Sequence, residues 1–104
     1  MRTSRDFARV FRAGKRSRSD GITVFVAGSS EEGPSRLGMS IRRAAGNAVA
    51  RNRTKRRLRA AWQQLEVPDG LDVVVRADRA AVEATYQEME KHVVGALTSA
   101  GALR

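Results

Sequence analysis

The sequence predicts an α/β sandwich in which helices cover a small sheet, and three observations carry that prediction. Helical and strand periodicities follow one another in the order helix, strands, basic helix, strand, helix. Clusters of Gly, Pro and Ser separate them, most densely at residues 28–35 and 68–70. The chain has 104 residues, of which 41% are hydrophobic and 30% charged, enough for one modest core under a polar exterior. One domain spanning residues 1–104 is therefore expected.

Each element has its own signal. Phe7, Val10 and Phe11 stand at i, i+3 and i+4, Thr3 or Ser4 can cap the first turn, and Gly14 can close the helix in a left-handed conformation. Residues 15–21 read as a basic, polar turn. Ile22, Val24 and Val26 then alternate with Thr23, Phe25 and Ala27, which predicts a strand. After the loop at 28–35, alternation resumes with Leu37, Met39 and Ile41, giving a hairpin-like pair of strands. Asn47 is a good N-cap, and the eighteen residues after it contain neither Gly nor Pro, so a long helix follows. Its apolar stripe is Thr54, Leu58, Ala61, Trp62 and Leu65, with Asn52, Arg53, Arg56 and Arg59 on the other side; Trp62 is expected in the core. Residues 71–75 read as an apolar run suited to a central strand buried on both faces. Thr85 and Glu88 form a capping box ahead of the helical row Tyr86, Met89, Val93 and Leu97.

Charge is distributed unevenly. The net charge is +9, and residues 33–65 carry nine basic and no acidic side chains, so the middle third holds the whole excess. Within it the segment RNRTKRRLR, residues 51–59, places six cations in nine residues of one helix. Pairs such as Arg51 with Lys55 and Lys55 with Arg59 repel by roughly 0.2–0.5 kcal/mol each in an isolated helix. An ordinary solvated face mixes signs to avoid that cost, whereas phosphates remove it. Arginine can also grip a phosphate with two parallel bonds or stack on a base, so a nucleic-acid partner is the preferred reading. A helix-turn-helix DNA reader does not fit, because the basic helix is flanked by predicted strands.

The string GNAVARNRTKRRLRAAW, residues 46–62, closely resembles the signature of the ribonuclease P protein subunit family, whose core is a GNAV segment followed by RNR and KR. RDFARVFRAG at 5–14, RLGMSI at 36–41 and TYQEMEK at 85–91 are similar to that family's first helix, pre-signature strand and last helix, so the resemblance covers nearly the whole chain. It implies an α/β (α+β) two-layer sandwich, αβββαβα-like, with a left-handed βαβ crossover. It also implies that the RNR helix faces a catalytic RNA, and that a cleft between the first helix and the sheet takes the single-stranded 5′ leader of precursor tRNA. Catalysis would then belong to the RNA and its Mg2+ ions, with no catalytic residue and no protein-only metal site. Carried over by position, Arg51, Asn52, Arg53, Lys55, Arg56 and Arg59 match the RNA-facing signature, with Arg42, Arg43 and Asn47 beside it. Phe7, Phe11 and Phe25 match the cleft aromatics, although pattern alone would make all three core residues. Two departures stand out: little basic sequence precedes Phe7, and Ala44 follows Arg42 and Arg43 where the family has a second basic residue.

Other readings carry less. His92, the single histidine, has no evident nucleophile or metal partner in sequence, and Glu83, Glu88 and Glu90 are explained by capping and solvation. Zero cysteines, no apolar run of membrane-spanning length and no secretory signal in residues 1–18 predict a cytoplasmic protein with no membrane partner and no obligate protein partner. The competing function is a structural basic RNA-binding protein of the ribosomal type.

Overall fold

The structure, a computed structural model, describes residues 4–29 and 31–103. Helix α1 (Ser4–Ala13) leads into strands β1 (Lys15–Ser19), β2 (Ile22–Gly28) and β3 (Arg36–Ile41). A 3₁₀ turn (Arg43–Ala45) precedes α2 (Ala48–Gln63), which is followed by β4 (Leu71–Ala77), the short α3 (Arg79–Glu83) and α4 (Tyr86–Ser99). The four strands form one sheet in the order β1-β2-β4-β3, with β4 antiparallel to β2 and parallel to β3.

The two longest helices start where local chemistry starts them. Asn47 accepts a hydrogen bond from the Ala50 N–H at 2.8 Å and opens α2. Thr85 and Glu88 exchange the two bonds of a capping box and open α4. That bonding to the Thr85 backbone holds the Glu88 carboxyl below the usual carboxylate range. Of the two candidate caps of α1, Thr3 lies outside the described residues and Ser4 is the first helical residue.

Three features differ from expectation. Residues 15–19 are not a turn but the edge strand β1. Arg16 and Arg18 take one face and Lys15, Ser17 and Ser19 the other, so no apolar alternation marks it. Strands β2 and β3 are not a hairpin: β4 lies between them. A strand buried on both faces belongs in the middle of a sheet, and seating it there separates its two neighbours. Gly14 has no positive φ. Its role is close approach: its N–H bonds the Val10 carbonyl at 2.8 Å, and a Cβ there would be driven into that same oxygen while lying 3.2 Å from Val26 N. Gly14→Ala is expected to destabilise the fold by about 1–3 kcal/mol, the usual range for overpacking, read as a lower thermal midpoint with unchanged secondary structure.

Alternation along the strands builds two cores. Ile22, Val24, Val26, Val73, Val75 and Ala77 meet Leu58 of α2, Ala81 of α3 and Met89, Val93 and Leu97 of α4 on one face. Phe25, Ala27 and Val74 meet Val10, Phe7 and Phe11 of α1 on the other. The two-layer sandwich expected from sequence therefore gains a partial third layer, and α1 sits apart from the other helices.

Candidate nucleic-acid interface

Helix α2 divides its residues as its periodicity dictates. Thr54, Leu58 and Ala61 are buried, and the Thr54 hydroxyl donates to the Ala50 carbonyl at 3.0 Å, so its burial leaves no polar group without a partner. Asn52, Arg53, Lys55, Arg56 and Arg59 are exposed, and Arg51 is half-buried with its Nε donating to the Gly46 carbonyl at 3.1 Å. Arg42, Arg43 and Asn47 lie where the chain enters the helix, the two arginines exposed. Among the described residues, no carboxylate lies within ion-pair distance of any of these cations. Arg57 is the exception to the basic face: half-buried, it donates to the Ala84 carbonyl at 3.2 Å and ties α2 to the segment before α4. The Ala44 position, where the family signature expects a basic side chain, has its carbonyl held by Arg79 at 3.0 Å.

Aromatic residues continue this surface. A groove of about 420 Å³ runs along the open edge of β3 between α1 and α2, and its lining includes Phe7, Met39, Lys55, Arg59 and Trp62. Phe7 of the first helix thus shares one concavity with two cations of the basic helix. Trp62, expected in the core, packs on it with one side and lines the groove with the other. Phe7 and Phe11 are half-buried, with ring centroids 6.3 Å apart. Phe25 is only 6% exposed and lies beneath Phe11, outside the groove lining, its ring meeting that of Phe11 edge-to-face at 4.8 Å. Arg76 lies over both rings, 5.0 Å from the Phe11 centroid and 5.3 Å from that of Phe25.

Arg76 is a residue that sequence reading missed. The signal was present: counting in twos along β4 puts Asp72, Val74 and Arg76 on the α1 face. The same count exposes a second omission, because the apolar run at 71–75 contains Asp72, which is fully buried. Arg36 grips its carboxylate with two bonds of 2.8 Å, and Arg9 reaches the same group from α1. The Arg36 bonds, outweighing the opposite effect of burial, hold the Asp72 carboxyl below the usual range. His92 also has a partner unseen in sequence: its Nδ1 lies 2.8 Å from the Ser19 hydroxyl, tethering α4 to β1. Asp20, exposed and 3.7 Å from Nε2, is too distant to orient the ring for catalysis.

A helix this rich in uncompensated arginine, set beside half-exposed rings on a mixed four-stranded sheet, defines an RNA-binding protein of α+β fold. A ribonuclease P family model matches residues 1–101. The chain is 43% identical to the ribonuclease P protein component of Beutenbergia cavernae, over 97% of this chain and 87% of that one. It is 40% identical to the component of Kocuria rhizophila, over 96% and 89% respectively. Among solved structures, a Staphylococcus aureus RNase P protein mutant with defective mRNA degradation activity superposes with a TM-score of 0.91 at 26% identity, covering 99% of this chain and 88% of that one. The chain belongs to the ribonuclease P protein family. It is a protein component of an endoribonuclease that processes the 5′ end of tRNA, and its partner in that ribonucleoprotein is RNA.

Proposed function

We propose that the exposed face of α2 binds the catalytic RNA of ribonuclease P, while the surface carrying Phe7 and Phe11 receives the single-stranded 5′ leader of precursor tRNA. The observation that carries this reading is the shared groove. Arg53 and Arg56 stand on the exposed face, Lys55 and Arg59 line the concavity, and Phe7 completes it from α1. Cations suit phosphates, and half-exposed rings suit unpaired bases, so one surface offers both things a leader needs. Phe25 contributes from below by supporting Phe11, and Arg42, Arg43, Asn47, Arg51 and Asn52 extend the RNA-facing surface.

In this reading residues 1–104 act as one domain, and the β3–α2–β4 crossover is left-handed as in the family the sequence resembles. Mg2+ is supplied and held by the RNA and its phosphates. Among the described residues no cluster of three or more acidic or histidine side chains fits a metal ion, so no step is assigned to a protein-bound one. Among the described residues no helix is long and apolar enough to cross a membrane, and the reading places the protein with its RNA in the cytoplasm.

The test is to combine the protein with ribonuclease P RNA and precursor tRNA at low Mg2+. Stimulated cleavage at the correct 5′ position is expected. RNA binding without stimulation would overturn the proposal in favour of a structural RNA-binding protein.

A further inference from the structure

Asp72 is a buried carboxylate with no part in the RNA-binding reading, near the start of β4 and directly before the apolar run Val73–Val75. Taking a carboxylate out of water costs several kcal/mol unless partners replace its hydration. Arg36 alone provides them, since its two parallel bonds occupy both oxygens in the strongest geometry a guanidinium offers. Arg36 also lies on β3, beside β4, and so clasps two neighbouring strands.

Arg9 is therefore surplus to what the carboxylate requires, and its place in the chain gives it a different consequence. It sits between Phe7 and Phe11 on α1. One of its nitrogens reaches Asp72 at the start of β4, and another donates to the Gly28 carbonyl at the end of β2, at 3.1 Å. The apolar contacts of α1 with the sheet are those of Phe7, Val10 and Phe11. Apart from the Phe11–Phe25 edge-to-face pair, this apolar contact is non-directional, so it holds the helix down more firmly than it fixes its rotation or its position along the sheet. A charge-assisted bond to a buried, immobile acceptor is directional and fixes both. We infer that Arg9 and Asp72 are positioning residues, whose bond locks α1 in the register that presents Phe7 and Phe11 to the leader. This rests on the leader-binding reading given above.

The experiment uses holoenzyme assembled with Arg9→Met protein, which keeps the apolar stem and leaves the Arg36–Asp72 pair intact. Binding to precursor and to mature tRNA is measured across a range of salt. If α1 then occupies its productive register only a tenth of the time, affinity for precursor falls about tenfold. Mature tRNA affinity stays unchanged, and so does the slope of log affinity against log salt. Asp72→Asn should show a leader-dependent loss as well, and the double variant should lose less than the sum of the two single ones, because both remove the Arg9–Asp72 bond. An unchanged precursor-to-mature ratio in Arg9→Met overturns the inference. So does a slope that falls by about 0.7–0.9, the mark of a direct phosphate contact by Arg9. Should Asp72→Asn fail to fold, the Arg9→Met ratio and slope decide alone. Phe11→Leu in parallel separates the two readings. If Phe11→Leu is leader-independent, the cleft itself is wrong; if it is leader-dependent while Arg9→Met is indifferent, only the positioning role falls.

Discussion

Replacing Arg53 and Arg56 together with alanine is expected to lower the slope of log affinity against log salt for the catalytic RNA by about 1.4–1.8, or 0.7–0.9 for each phosphate no longer neutralised. Extrapolated from 1 M salt, that weakens binding roughly 25- to 60-fold at about 0.1 M. Both side chains are exposed and opposite the buried stripe of Thr54, Leu58 and Ala61, so truncation leaves no cavity. Alanine is the better helix former, and two sources of like-charge repulsion disappear, so the thermal midpoint should hold or rise. Arg57→Ala is the natural contrast. Its guanidinium bonds the Ala84 carbonyl, so it should lose stability and leave the salt slope nearly unchanged. Salt-titrated binding and thermal unfolding of the three proteins decide the matter. A double variant with wild-type slope and affinity would remove the basic face from the RNA interface.

Changing Phe11 to leucine keeps apolar bulk and deletes the ring. Within the protein this removes the edge-to-face packing on Phe25 and the Arg76 cation above the ring. Together these are worth about 1–2 kcal/mol, a modest fall in stability. In the complex, a base that stacks on Phe11 gives up about 1–3 kcal/mol, or roughly 5- to 150-fold in affinity. Only RNA that carries a leader should register it. Precursor tRNA with a leader several nucleotides long is expected to bind Phe11→Leu holoenzyme more weakly, and mature tRNA equally well. Equal weakening for both RNAs, or a large fall in stability with no leader dependence, would return Phe11 to the ordinary core. Phe25 makes a poorer probe because it is already buried, and its removal would disturb Phe11 as well.

What the sequence determined by itself is the set of features that depend on near neighbours. The Asn47 cap, the Thr85–Glu88 box and the two faces of α2 arise from residues within a few positions of each other, and their spacing is visible in the string. The basic segment at 51–59 is local in the same sense, since six cations on one short helix cannot escape one another wherever the helix packs. The features decided only by tertiary structure depend on residues far apart in the chain. Strand β1 became visible only through its pairing with β2, because an edge strand of Lys, Arg and Ser needs no apolar alternation. The placing of β4 between β2 and β3 followed from burial on both faces, which sequence suggested, and from pairing partners, which it did not. Spacing sets Arg57 beside the buried stripe and Arg56 opposite it, but the carbonyl that Arg57 holds lies 27 positions away and is not visible in the string. Asp72 passed as part of an apolar run, and its burial makes sense only with Arg36 and Arg9, 36 and 63 positions away; Trp62 likewise turned one side of its ring toward a groove whose other wall is α1. Burial and partnership are properties of the assembled surface around a residue, and periodicity reports only which side of its own element that residue occupies.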